Sequence, residues 1–307
     1  MFVADWMQKR VTVLSPDGRV LRTLGETGSG PGEFRAIRGV QITRGDSLLV
    51  YDPELARVTV FEPDSLSVAR TETFAGRLRG APPFRLWRAT AGRYVAVFRS
   101  GFEFSSSGAV AERRDSVALL RSDGSLEETI ARLPARGFLR EGFSITPNPF
   151  GREPLAGAND SGRVHYVWSD SLAVHTYDSL GNLISRFAAE LPPRPVTTAD
   201  VDSERAAMDE WTRRTFQKAL ADSTPRTWPA VKDMIVDDAG RVWLQLGGPR
   251  GTLQEWVVFT PGGGYIRSVI VPDGVRLYAV RGPRLYAEQL NEENVPSVVV
   301  LTLDREL

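Results

Sequence analysis

The stretch Gly25-Glu26-Thr27-Gly28-Ser29-Gly30-Pro31-Gly32-Glu33-Phe34 separates two segments that repeat each other. Before it, Phe-Val-Ala-Asp (2–5) is followed by Arg-Val-Thr-Val-Leu-Ser-Pro-Asp (10–17). After it, Leu-Val-Tyr-Asp (49–52) is followed by Arg-Val-Thr-Val-Phe-Glu-Pro-Asp (57–64). Each segment has the pattern of two β-strands that close on a turn, so the chain contains an internal repeat.

Four further copies of the second strand in this repeat occur along the chain. Each is an apolar, β-branched run that ends in a turn, and the copies begin 47, 59, 57, 83 and 41 residues apart. The six copies are 11–17, 58–64, 117–123, 174–180, 257–263 and 298–304. Repeats of about 40 to 50 residues with four short strands are typical of propeller blades. The sequence therefore predicts an all-β, six-bladed β-propeller.

The glycine-rich stretch is predicted to link the outer strand of one blade to the inner strand of the next. Glycine supplies positive φ angles and proline a fixed one, as a chain that turns sharply requires. We expect Phe34 to fill the space between the two blades. The alternative, that Gly28, Gly30 and Gly32 bind a phosphate, requires a following helix, whereas a strand pattern follows.

The same residues resemble a known repeat. Gly-x-Gly-x-Gly-Pro-Gly-Glu-Phe, followed by Ser-Leu-Leu-Val-Tyr-Asp and Ala-Arg-Val-Thr-Val-Phe, resembles the NHL-type repeat of bacterial six-bladed β-propeller proteins. The run Asp237-Asp-Ala-Gly-Arg-Val-Trp243 is similar to a turn of that family. The likeness is specific in blades one, two and five and weak in the others. It implies the propeller fold and a place outside the cytoplasm, and it identifies Asp5 and Asp52 as structural acids that accept backbone N–H bonds.

We predict one propeller domain over residues 1–307. Its blades are 1–25, 26–74, 75–134, 135–196, 230–274 and 275–307, with a helical insertion at 197–229. Blade one would begin at its second strand and blade six would stop after its third, which leaves an incomplete sheet next to Phe2. Either the chain is a fragment whose upstream residues held an inner strand and an export signal, which is the interpretation we favour, or two blades are short. Two long loops, at 101–108 and 142–155, lengthen blades three and four.

One helix is predicted at 199–221, where apolar residues recur at helical spacing. Thr198 or Asp200 would cap its start, and Pro225 follows its end. The apolar stripe contains Trp211 and Phe216. It packs either on the rim of the ring as a strut or over one end of the central channel as a lid.

Composition excludes several functional classes. The chain has 38 Lys and Arg against 38 Asp and Glu, so no net charge favours nucleic acid or an anionic membrane. It has no cysteine, which excludes disulfides, thiolate metal sites and a cysteine nucleophile. No apolar run is long enough to span a membrane, and the first residues form a strand pattern rather than a signal peptide.

The only histidines, His165 and His175, are weak metal candidates. They flank the turn at 169–171 symmetrically, so a tight hairpin would place them opposite each other on one face. A metal site would need a third ligand, and hydrogen-bonded strand histidines are the alternative.

The predicted inner strands supply mainly arginine, amide and aromatic side chains. Such groups suit an anionic or polar ligand better than a hard cation. The candidate ligand-binding residues are Arg38, Gln41, Arg85, Trp87, Arg152, Lys232 and Asp233.

The leading functional hypothesis is a non-enzymatic binding or scaffold propeller. Its partner would be a peptide, glycan or protein, and it would act in the periplasm or at the cell surface without a cofactor. The alternative is a metal-dependent hydrolase or lyase, similar to lactonases or amidating lyases, with its site in the central channel. A stoichiometric divalent metal in the purified protein would favour the alternative.

Overall fold

The computed structural model describes residues 1–43, 45–74, 78, 80–89, 92–101, 113–159, 162–291 and 295–304. In these residues six antiparallel sheets of three or four strands follow one another along the chain, each built from consecutive strands, and a separate two-stranded hairpin lies between the third and fourth of them. This is the six-bladed β-propeller that the repeat predicts. Two helices stand between the fourth and fifth of these sheets, which we call blades.

The chain divides into two compact units. The first contains Met1–Leu133 with Asp160–Arg163 and Tyr177–Asn182, and the second contains the remainder. Three blades form the first unit. Blade one consists of β1 (Phe2–Asp5), β2 (Arg10–Leu14) and β3 (Val20–Leu24). Blade two consists of β4 (Gly39–Ile42), β5 (Leu48–Asp52), β6 (Arg57–Phe61) and β7 (Val68–Thr73). Blade three consists of β8 (Arg85–Arg88), β9 (Tyr94–Phe98), β10 (Arg114–Leu120) and β11 (Leu126–Pro134).

The second unit is built on a hairpin, three blades and the helices. The hairpin is β12 (Phe138–Glu141) with β13 (Ser144–Pro147). Blade four consists of β14 (Pro154–Ala158), β15 (Val164–Trp168), β16 (Leu172–Tyr177) and β17 (Leu183–Ala189). The helices are α1 (Thr198–Ala206) and α2 (Glu210–Ser223). Blade five consists of β18 (Val231–Val236), β19 (Val242–Leu246), β20 (Gln254–Phe259) and β21 (Tyr265–Val271). Blade six consists of β22 (Val275–Arg281), β23 (Arg284–Leu290) and β24 (Pro296–Thr302).

The first strands of neighbouring blades lie beside each other within each unit, as β4 and β8 do in the first and β14, β18 and β22 in the second. We call these the inner strands. The faces of neighbouring blades bury apolar side chains against each other. Separate buried clusters join blades one and two, two and three, four and five, and five and six. Such packing gives each small sheet the buried faces that it cannot form alone.

The glycine-rich stretch connects β3, the outer strand of blade one, to β4, the inner strand of blade two. Phe34 is fully buried among residues of both blades, including Leu24 and Leu48, as expected. Within the stretch, the Gly30 N–H donates to the Glu33 carboxylate at 2.7 Å. The guanidinium of Arg57 on β6 donates to carbonyl oxygens of the same stretch. The stretch is therefore an ordered link between blades, and β4 rather than a helix follows it.

The structural acids of the NHL-type resemblance have the expected partners. Asp5 accepts from the N–H groups of Met7 and Gln8 at 3.0 and 2.8 Å. Asp52 accepts from those of Glu54 and Leu55 at 2.9 and 3.0 Å. Both carboxylates satisfy the turn that follows their strand, which is how a short acidic side chain stabilises a turn.

The predicted single helix at 199–221 is wrong in one respect, because two helices occupy this region. The capping box of Thr197 and Asp200 begins α1, and the Asp209 side chain caps the start of α2. Ala207 and Met208 separate the two. A second N-cap residue within the apolar pattern therefore ends one helix and begins another.

Other departures concern the loops and the terminal blades. The proline-rich segment 142–155 was expected to be a loop, but it contains β13 and the start of β14. Blades one and six have three strands each among the described residues, as predicted. The loop predicted at 101–108 lies outside the described residues beyond Gly101.

Candidate functional site

Six of the seven predicted ligand-binding residues lie on or beside inner strands. Arg38 immediately precedes β4 and Gln41 lies on it. Arg85 and Trp87 lie on β8, and Lys232 and Asp233 on β18. The first four lie in the first unit and the last two in the second. Within the first unit, Arg38 and Arg85 lie at one end of blades two and three, and Gln41 bonds to Arg88 at the other end.

Arginine and aromatic side chains form an exposed group at one end of blades two and three. The guanidinium carbons of Arg38 and Arg99 lie 5.1 and 3.3 Å from the centroid of the Phe84 ring. Arg85 follows Phe84 directly, and all three arginines are exposed. We call Arg38, Phe84, Arg85 and Arg99 the arginine patch. Stacking on an aromatic face orients a guanidinium relative to the ring.

Phe84 and Arg99 were not identified as site residues from the sequence. The repeat does indicate Phe84, because its position is equivalent to that of Arg38 in the preceding blade. The N–H of Arg38 donates to the Tyr51 carbonyl, and the N–H of Phe84 donates to the Val97 carbonyl. Arg38 and Phe84 therefore hold the same place in successive blades. An alignment of the sequence repeats over their inner strands would therefore place Arg38 and Phe84 at equivalent positions.

The buried acids at this end of the blades are bound to backbone groups. Besides its turn, Asp52 accepts from the N–H groups of Arg35 and Ala36 at 2.8 and 3.2 Å. Asp115 accepts from the N–H and hydroxyl of Ser100 at 2.8 and 3.1 Å. These carboxylates hold the loops that carry the arginine patch in place, and their negative charge is not exposed at the surface.

The other end of the same two blades carries a polar network. Arg88 on β8 donates to the Glu72 carboxylate and, at 2.6 Å, to the Tyr94 hydroxyl, which in turn donates to Glu72. Burial alone raises the pKa of Glu72, but its bonds from Arg88 and Tyr94 outweigh this and hold the pKa below its ordinary value. Burial and Glu72 together raise the pKa of Tyr94. The network therefore contains one carboxylate, one guanidinium and a neutral phenol.

Gln41 connects the inner strands of blades two and three. Its amide oxygen accepts from the Arg88 N–H at 2.7 Å, and its amide nitrogen donates to the Arg88 carbonyl at 3.4 Å. These two bonds give Gln41 a structural role between β4 and β8.

Lys232 is an unusual cation in the second unit. The pairing of β18 with β19 shifts between Val231 and Asp233, so Lys232 is the extra residue of a β-bulge. Its ammonium lies 5.5 Å from the centroid of the Trp228 ring. Burial lowers the pKa of Lys232. Neighbouring charges act on it too: Glu204, Asp273 and Glu153 favour its charged form, and Arg250 opposes it.

Lys232→Met is expected to raise the free energy of unfolding at neutral pH by about 1 kcal/mol. Because the folded-state pKa is lowered, burial of the charge costs stability below that pKa. The cost disappears as the pH rises towards the unfolded value of about 10.4. The stability difference between Lys232→Met and the wild type, measured by urea unfolding, should therefore decrease as the pH is raised from about 7 to about 10. Lys218→Met on the exposed face of α2 is the control, and an equal, pH-independent gain there would contradict the prediction.

Arg152 has a structural rather than a ligand-binding geometry. Its Nε donates to Asp170 at 2.7 Å, and its Nη1 and Nη2 donate to the carbonyl and hydroxyl of Thr227 at 2.8 and 2.9 Å. Further bonds reach the carbonyls of Phe150 and Trp228. Because its guanidinium donates to protein atoms on all three nitrogens, Arg152 is not part of the proposed site.

The expected pairing of His165 with His175 is wrong. Nδ1 of His165 lies 2.9 Å from the Thr176 hydroxyl, and the His175 ring stacks on Tyr166 with centroids 4.9 Å apart. Consecutive strand residues point to opposite faces, so His165 and His175 lie on different faces of blade four. The turn shifts the hairpin register by one residue from the symmetric arrangement. Among the described residues, no group of three or more His, Cys, Asp or Glu side chains is placed to hold a metal ion.

The two candidate lid residues differ in burial. Phe216 is fully buried with Leu139, Phe150 and Trp228, whereas Trp211 is 62% exposed. The buried side of α2, which contains Phe216, thus packs on the β12–β13 hairpin and its neighbours. None of the described helices has the length and apolarity needed to cross a membrane.

Comparison with known proteins supports the fold. The family model DUF5128, described as a 6-bladed beta-propeller, matches residues 1–78. A search of curated protein sequences finds no match. A "Putative exported protein" from Bacteroides fragilis aligns with a TM-score of 0.52 and 11% identity over 94% of this chain and 76% of that one.

Two further solved structures show the same level of likeness. A member of the DUF4221 family from Bacteroides vulgatus aligns with a TM-score of 0.49 and 10% identity over 95% of this chain and 86% of that one. A luciferin-regenerating enzyme aligns with a TM-score of 0.48 and 10% identity over 99% and 88%. At these identities the likeness concerns the fold alone.

Proposed function

We propose that this protein is a non-enzymatic, NHL-like binding propeller that recognises an acidic peptide segment of a partner protein through the arginine patch. The stacking of Arg38 and Arg99 on Phe84 carries the proposal. A guanidinium held by an aromatic ring loses less conformational entropy when it binds a carboxylate than a free side chain does. Arg85 adds a third exposed cation, and the patch stands out on a chain with no net charge.

An acidic peptide suits this arrangement better than a single small anion. The patch is open and carries its cations side by side on two blades, so several carboxylates can bind at once. Trp87 lies two residues after Arg85 on β8 and therefore shares its face, where it extends the patch with aromatic surface. By the NHL-type resemblance we place this binding outside the cytoplasm, which fractionation of cells that express the full gene would test.

Fluorescence anisotropy with a labelled twelve-residue Glu-Ala repeat peptide tests the proposal. We expect saturable binding that weakens with salt and that the double variant Arg38→Gln, Arg99→Gln reduces by about tenfold or more. Arg213→Gln, which removes an exposed charge on α2, should leave binding unchanged. A Lys-Ala repeat peptide is the charge-reversed control.

Three results would reject this assignment. They are the absence of saturable binding, equal binding of the Lys-Ala peptide, and unchanged affinity in the double variant. Elemental analysis of the purified protein addresses the alternative, because a stoichiometric divalent metal would favour the metal-dependent hydrolase or lyase.

A further inference from the structure

A cleft of about 280 Å³ opens at the end of blades two and three that lies opposite the arginine patch. Its floor is a single row of cross-strand neighbours on one face of blade two. Gln41 pairs with Leu49, Leu49 with Val60, and Val60 with Arg70. Because directly paired residues point to the same face, the row runs from an amide on the inner strand, across two apolar side chains, to a guanidinium on the outer strand.

Two arginines supply the positive charge of the cleft. Arg70 donates from its Nε to the Glu72 carboxylate at 2.8 Å, and its side chain is 53% exposed, so its terminal nitrogens can be reached by a ligand in the cleft. Arg88 uses its Nη1 for Glu72 and Tyr94. One carboxylate is thus shared by two guanidinium groups, so these three side chains together carry one net positive charge. A monoanion completes this balance.

The remaining lining residues limit the size of a ligand. Thr43 and Ser47 bring hydroxyl groups to the rim from the turn between β4 and β5, and Ala89 closes the side next to blade three. Leu49 and Val60 are buried, so the floor is narrow and apolar. The volume corresponds to about nine water molecules at roughly 30 Å³ each, which suits a compact organic molecule.

We propose that this cleft binds a small organic carboxylate, with the carboxylate on Arg70 and a compact apolar body over Leu49 and Val60. Planar, bidentate recognition of a carboxylate is the interaction for which a guanidinium is best suited. Glu72 and Tyr94 hold Arg88 in the wall of the cleft, and Glu72 accepts from the Nε of Arg70. The site is separate from the arginine patch and does not depend on the function proposed for that surface.

Benzoate and benzamide are matched probes, because they share shape and size and differ in charge. In isothermal titration calorimetry of the full chain, we expect benzoate to bind saturably and about tenfold or more tightly than benzamide. Inorganic phosphate, which lacks an apolar body, is expected to displace benzoate poorly.

Two variants test the site by independent means. Arg70→Gln removes the cation, and Ser47→Phe fills the cleft without a change of charge; each should weaken benzoate binding by about tenfold or more. Arg19→Gln, at an 84% exposed side chain in the turn of blade one, is the control and should bind as the wild type does. If Ser47→Phe does not fold, Arg70→Gln still tests the proposed carboxylate site. The Arg70 side chain is 53% exposed, so its replacement leaves the core intact.

The proposal is overturned if wild-type protein shows no saturable benzoate binding or binds benzamide equally well. It is also overturned if folded Arg70→Gln protein retains wild-type affinity, or if phosphate competes as effectively as benzoate. Effective competition by phosphate would mean that the cleft binds anions through their charge alone and does not recognise an apolar body.

Discussion

Asp52→Ala is expected to lower the free energy of unfolding by about 3 kcal/mol, because it leaves buried backbone N–H groups without acceptors. Asp52 is fully buried, and its two carboxylate oxygens accept from four backbone N–H groups, those of 35, 36, 54 and 55. One pair belongs to the link from blade one and the other to the turn after β5. The substitution therefore loosens both the link and the turn. Urea unfolding followed by circular dichroism measures the loss.

Asp5 provides a matched control for Asp52, since it ends the equivalent strand of blade one. It accepts from only two backbone N–H groups and is partly exposed, so water can replace it. Asp5→Ala is expected to cost about 1 kcal/mol or less. Asp52→Asn keeps one acceptor oxygen and should fall between the wild type and the alanine variant. Equal losses for Asp5→Ala and Asp52→Ala would show that the contacts with the link contribute nothing.

The fold could be predicted because its determinants are local and repeated. Alternating apolar residues, turn residues and the period between copies all appear within a few dozen residues of sequence. Phe34 and the acids Asp5 and Asp52 were predictable for the same reason, because each acts within one blade or between two consecutive blades. The three-stranded terminal blades followed from counting strands.

Side-chain register and contacts between strands far apart in sequence could not be predicted. A shift of one residue in the register of the blade-four hairpin places His165 and His175 on different faces. The sequence of the turn does not indicate this shift. The network of Glu72, Arg88 and Tyr94 joins the outer strand of one blade to the first two strands of the next. Its members are ordinary strand residues in the sequence, so only the packing of two blades reveals the cleft beside them.

The helical insertion illustrates a competing local signal. The stripe over 199–221 is continuous in apolarity, which favoured one helix. Asp209 followed by Glu210 is also a good helix start, and the Asp209 side chain caps the second helix by accepting from the Thr212 N–H. The arginine patch was half predicted, since Arg38 and Arg85 came from the inner strands while Phe84 and Arg99 lie beyond strand ends.

Gly25→Ala is expected to lower the free energy of unfolding by about 3 kcal/mol through two separate effects. Gly25 has a φ of +89°, a conformation that L-residues with a Cβ rarely adopt. A Cβ at this position would also lie 2.4 Å from the buried ring of Phe34. Phe34 packs against both blades and cannot move without disturbing the cluster around it.

Gly18→Ala separates the two effects, because Gly18 has nearly the same φ, +86°, with open space around the added Cβ. It should cost about 1 kcal/mol, the conformational part alone. The difference between the two variants then measures how rigidly the link holds Phe34 between blades one and two. Further replacement of Phe34 by leucine in the Gly25→Ala background should recover part of that difference, since it removes the ring that the new methyl group strikes. If Gly25→Ala and Gly18→Ala prove equally destabilising, Phe34 is free to shift, and the link is less tightly packed than its burial indicates.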